Sequence, residues 1–140
     1  MKKFVIAALA LFLTLINFQV SAQVQIDYRK SDIYTQADMD AAIEIINEQF
    51  SQWEGCTLLN IRYAGDDCNS AENLRWMNEL ANARKYDVKF VQCIEFLSDF
   101  YASKDTEGHT TFEPDSEYKN WQWWLAREEG GNWQLMSFGY

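Results

Sequence analysis

The sequence predicts an α+β fold: a curved antiparallel sheet of about four strands wrapped on a long N-terminal helix, joined by a second helix. Three observations predict it. An apolar stripe at helical spacing runs from Met39 to Trp53. A shorter helical stripe, Leu74, Met77, Leu80 and Ala81, follows a strand-like segment. After it come only strand-like segments, the last two separated by Glu129-Gly130-Gly131, a hairpin signal.

The elements follow in order. Residues 23–34 are a polar lead-in in which Val24, Ile26 and Tyr28 alternate, giving either a tail or a short edge strand. The folded unit then spans residues 35–140. Thr35 with Asp38 three residues on is a box-like helix start. Met39, Ile43, Ile46, Phe50 and Trp53 face one side of that helix, and Gly55 is placed to stop it. Thr57–Ala64 reads as a strand closed by the turn Gly65-Asp66-Asp67. Asn69 or Ser70 caps the second helix, which ends near Lys85. Val88–Tyr101 is a long strand with Val88, Phe90, Ile94, Phe96 and Phe100 on its core side. Ser103–Glu117 is a polar loop, and Lys119–Glu128 and Asn132–Tyr140 form the hairpin.

An even-length turn in that hairpin places Trp121, Trp123, Leu125 and Arg127 on one face with Met136 and Phe138. That face is the richer in apolar groups and is expected to meet both helices. Trp124, Trp133 and Leu135 fall on the other. They form a candidate interface, covered by the lead-in segment or a curled sheet, buried in a homodimer, or open to a partner.

The leader, MKKFVIAALALFLTLINFQVSA, has a basic start, an apolar run too short for an ordinary membrane span, and small residues before Gln23. This is the pattern of a secretory signal peptide, residues 1–22, cleaved near Ala22-Gln23. It implies export to a periplasm or the extracellular space, with no membrane span left after cleavage. Removing Lys2 and Lys3 takes the net charge from −9 to −11. Such an acidic chain repels nucleic acid, which is excluded as a partner. A homodimer, an envelope protein and a small ligand remain open. Cys56, Cys68 and Cys93 allow at most one internal disulfide. A straight strand after Cys56 disfavours Cys56–Cys68; Cys68–Cys93, Cys56–Cys93 and three thiols remain open.

No catalytic signature is present. There is no nucleophile elbow and no phosphate-binding glycine loop, so no catalytic residue or cofactor is assigned. His109 is the chain's one histidine and cannot build a zinc site with the scattered cysteines. Asp66-Asp67 and Glu113, Asp115 and Glu117 lack the spaced pattern of a calcium loop; turn chemistry accounts for them, and no metal is assigned. The strongest polar set is Glu95, Asp99 and Tyr101 on the long strand with Arg127, and Trp121 and Trp123 beside them complete a candidate pocket. Glu95 and Asp99 share a face but stand roughly 13 Å apart, too far to share a proton. A lone buried carboxylate there would be a general base; an ion pair with Arg127 is the simpler use of the same residues.

The stretch Trp121-Gln-Trp-x-Leu-Ala-Arg127, then Gly130-Gly-x-Trp-x-Leu135 and the closing Gly139-Tyr140, together with Glu54-Gly-Cys-Thr-Leu58, resembles small exported bacterial proteins of unknown function in the cystatin-like, or nuclear transport factor 2-like, superfamily. The resemblance covers most of residues 35–140 and implies a cone-shaped α+β architecture. That architecture carries enzymes with acid–base residues in a pocket, binding modules and dimerisation domains alike. The Gln-x-Val-x-Gly inhibitory loop of cystatins is absent. The expected function is that of an exported, non-catalytic binding or protein-interaction module, the alternative being a pocket enzyme or carrier.

Overall fold

A computed structural model describes residues 23–106 and 110–140. The expected signal peptide and His109 lie outside the described residues. The described residues form an α+β fold, with two α-helices and one open, mixed sheet of five strands in the order β1-β2-β3-β4-β5. These are β1 (Gln25–Asp27), β2 (Cys56–Tyr63), β3 (Gln92–Ala102), β4 (Ser116–Arg127) and β5 (Gln134–Gly139). The helices are α1 (Gln36–Phe50) and α2 (Ala71–Ala83).

The fifth strand comes from the lead-in, which pairs parallel with β2. Three exposed residues hold little by burial, so side chains fix the segment after them. Ser31 Oγ donates to Asp66 at 2.6 Å, the Asp32 N–H donates to the same carboxylate at 2.8 Å, and Tyr28 donates to Asp40.

α1 forms where its cap and stripe place it. Thr35 Oγ1 accepts the Asp38 N–H, and the Asp38 carboxylate accepts the Thr35 N–H. Met39, Ala42, Ile43, Ile46 and Phe50 are buried. The helix stops at Phe50, before Trp53, and Gly55 serves the entry to β2 instead. Its φ is +75°, and a Cβ there would meet Thr106 Cγ2 at 2.8 Å, so this position needs glycine.

Ser70 caps α2 by accepting the Asn73 N–H at 3.1 Å. Asn69 instead accepts the Cys93 N–H at 3.0 Å, tying the 3-10 turn Asp66–Asn69 to β3. β3 begins at Gln92, four residues later than its apolar pattern suggests. The Asn78 side chain on α2 occupies both the N–H and the C=O of Phe90, at 2.8 and 3.1 Å, so Phe90's ladder bonds go to the helix.

Three bulges shape the sheet: at Leu58/Asn60 in β2, opposite Ser98/Phe100 in β4, and beside Trp124/Leu125 in β5. The last one changes the hairpin. Trp123 pairs with Phe138 and Trp124 with Ser137, as an even turn requires, but Leu125 then pairs with Leu135. One inserted residue exchanges the faces of everything beyond it. Trp133 and Leu135 therefore leave Trp124 and join the face of Leu125.

The two helices lie on opposite faces, not together on one. Trp53, just after α1, stacks on Trp123 at 5.4 Å and 23°. Trp76 of α2 stands edge-on to Trp124 at 5.3 Å. Both faces of the β3–β4 ladder are accordingly buried at this end, Ile94 and Leu125 on one and Cys93, Trp124 and Ala126 on the other.

Candidate functional site

The six residues expected to form a pocket occupy three separate places. Glu95, Asp99 and Tyr101 share the face of Trp124. Trp121 and Trp123 are on the other face with α1, and Arg127 is on that face at the far end of β4.

Asp99 sits between two of the bulges. Its carboxylate accepts Asn60 Nδ2 at 3.0 Å, the Asn120 N–H at 2.9 Å and the Arg62 guanidinium at 3.3 Å. Asn120 has φ +58°, and the bond from its N–H holds that left-handed residue in the ladder. Burial alone would raise the Asp99 pKa; the hydrogen bonds from Asn60 and Asn120 and the Arg62 charge outweigh it and hold the carboxyl below its ordinary value. Asp99 is thus ion-paired with Arg62, not Arg127. Tyr101 donates to Asp115. Glu95 is half-buried, and burial pushes its carboxyl up from the ordinary value.

Arg127 is committed to α1. Its Nη1 donates to Asp38 Oδ1 at 2.9 Å, its Nε donates to Gln92 Oε1 at 2.8 Å, and its guanidinium lies 4.3 Å from the Trp133 ring. Hollows of about 530 and 480 Å³ flank it, one along Val91 and the 128–131 turn, the other along α1. The cation they share already has a carboxylate, an amide and a ring face as partners.

The candidate interface is divided as well. Trp124 is 7% exposed beneath Trp76, and Trp133 is 5% exposed, its Nε1 donating to the Asp38 carbonyl at 2.9 Å. Both are covered by their own chain.

The structure assembles a different site. Trp53, Phe112, Trp121 and Phe138, with Gln52, Thr110 and Thr111, line a cleft of about 380 Å³. Trp53 and Phe112 meet edge to face at 4.9 Å, and Trp53 contacts Phe138 at 5.6 Å. Trp123 packs behind the lining, its ring 5.4 Å from those of Trp53 and Phe138, fully buried, with its indole N–H donating to Ser98 Oγ at 2.8 Å. At the rim Phe138 is 43% exposed and Tyr140 76%, the latter edge-on to Trp121 at 5.1 Å. The Trp121 indole N–H is buried without a hydrogen-bond acceptor. Among the described residues the lining has aromatic faces, hydroxyls and an amide, and no titratable group. Trp121 alone among the candidate pocket residues lines it. Trp53 reads as one more residue of the helical stripe, and Phe112 as an isolated apolar residue in a polar loop; only the folded chain brings them together.

Among the described residues no three His, Cys, Asp or Glu side chains are grouped to hold a metal ion, and no helix is long and apolar enough to cross a membrane. All three cysteines are thiols, Cys68 and Cys93 buried and Cys56 partly so. No family model, curated protein or solved structure matches the chain. The cystatin-like resemblance therefore stands on the sequence motifs alone.

Proposed function

We propose that this chain is an exported, non-catalytic binding module whose ligand sits in the aromatic cleft of Trp53, Phe112, Trp121 and Phe138. The observation that carries the reading is the pair of exposed rings, Phe138 and Tyr140, continuous with a cleft free of titratable groups among its described residues. Such a lining favours a flat, largely apolar ligand or side chain, held by ring contacts and oriented by Gln52 and the threonines. Export rests on the leader in residues 1–22.

A pocket enzyme or carrier with a base on the sheet is the second reading. It is favoured by the half-burial of Glu95 on β3 opposite Trp124, which pushes its carboxyl above the ordinary value. Glu95 lies on the α2 face, away from the cleft, so the two readings separate by mutation.

The test is titration with Nile red, a neutral dye that brightens in apolar clefts. The parent is expected to bind it with quenching of tryptophan emission. Phe138→Ser combined with Tyr140→Ser is expected to weaken binding about tenfold, since two exposed rings are removed. Glu95→Gln is expected to leave it unchanged. Equal binding by the double variant and the parent would remove the cleft from consideration.

A further inference from the structure

Cys68 and Cys93 are far apart in sequence but meet at the junction of the 3-10 turn with the start of β3. The Cys93 thiol donates to the Cys68 carbonyl at 3.2 Å, and the Cys68 sulfur lies 3.9 Å from the Cys93 carbonyl. Each sulfur thus rests against the other residue's peptide. Asn69 holds the two backbones together through the Cys93 N–H, and Tyr34 donates to the Cys93 carbonyl from the segment leading into α1. Cys56 has no part in this. It pairs with Ala102 at the opposite end of β3, roughly 30 Å along the strand from Cys93.

We propose that Cys68 and Cys93 are a redox pair that closes to a disulfide, pinning the turn before α2 onto β3, with Cys56 left as the odd thiol. The oxidant is a small disulfide of the glutathione class. One cysteine thiolate attacks it, forming a mixed disulfide and releasing one small thiol. The second cysteine, as thiolate, attacks the mixed disulfide at the protein sulfur and releases the other small thiol. The protein gives up two hydrogens and two electrons, and the small disulfide is reduced to two thiols. The bond would hold α2 down over Trp124, since the turn and α2 are continuous through Ser70. Burial raises both thiols, that of Cys93 to about 12, so the folded pair reacts through brief opening of the turn rather than as a surface thiolate.

The experiment incubates the full chain with excess oxidised glutathione at mildly alkaline pH, alkylates it in denaturant, and maps its peptides by mass. The expected result is a Cys68–Cys93 linked peptide lacking two hydrogens, with Cys56 alkylated or carrying glutathione. The Cys56→Ser variant is expected to form the same link. Its melting temperature should rise on oxidation by an amount on the order of 10 °C and fall again with reductant. Adding Cys93→Ala should abolish that response. Alkylation of both Cys68 and Cys93 after incubation, or a link joining any other pair, overturns the proposal. A Cys56→Ser protein whose melting is the same oxidised and reduced overturns the pinning role.

Discussion

The indole of Trp133 donates its N–H to the main-chain carbonyl of Asp38 at 2.9 Å, joining the start of β5 to the first turn of α1. Asp38 holds that junction three ways. Its carboxylate caps the helix by accepting the Thr35 N–H, it pairs with Arg127 at 2.9 Å, and its carbonyl receives Trp133.

Asp38→Ala is therefore expected to destabilise the fold by about 2 kcal/mol, from loss of the cap and of a partly buried ion pair. The hydrogen bond from the Thr35 N–H is the main cause of the lowered Asp38 pKa, with the Arg127 contacts adding to it. A carboxyl lowered in the folded state contributes stability above its unfolded pKa and loses it as pH falls through the folded value. The parent's stability should thus fall on acidification below the ordinary carboxylate range, and more steeply than that of Asp38→Ala. Urea unfolding across a pH series measures both.

Ser98→Ala is expected to cost about 1–3 kcal/mol despite removing a single oxygen. Ser98 and Trp123 are both fully buried, and Ser98 Oγ accepts the Trp123 N–H at 2.8 Å. The substitution leaves an indole donor without an acceptor in the core, against the cleft rings Trp53 and Phe138. Chemical denaturation gives the stability change; a change within 0.5 kcal/mol of zero, the range of a simple surface substitution, would mean that the indole finds another acceptor.

Glu95→Gln is expected to maintain or raise stability at neutral pH. Burial raises the Glu95 pKa, so the folded state binds this proton more tightly than the unfolded state. Ionisation therefore weakens folding as pH rises from the unfolded pKa through the folded one, and an amide removes that penalty. Below the unfolded pKa parent and variant should agree closely. Thermal melts at acid and neutral pH compare them, and a variant less stable at neutral pH would show that the charged form has an unrecognised partner.

Local signals were legible in the sequence. The Thr35/Asp38 box and the Met39-to-Phe50 stripe specify α1, because a capping box and a 3.6-residue period depend only on neighbours in the chain. The even-numbered core side of β3 was legible for the same reason. The beginning of β3 was not, because Asn78, twelve residues earlier, takes the backbone groups of Phe90. The expected common face of Trp124, Trp133 and Leu135 ends at the bulge beside Leu125, since an inserted residue in one strand is visible only against its partner.

By itself the sequence determined the helices, the core-side positions of β3 and the presence of a final hairpin, all set by local turn residues or by periods of two or 3.6 along one chain. Only the tertiary structure decided that α2 crosses to the face opposite α1, that Trp133 turns inward to Asp38, and that Trp53 and Phe112 meet Trp121 in one cleft. These depend on strand register and on which surfaces bury each other across long separations, and no local period carries that information.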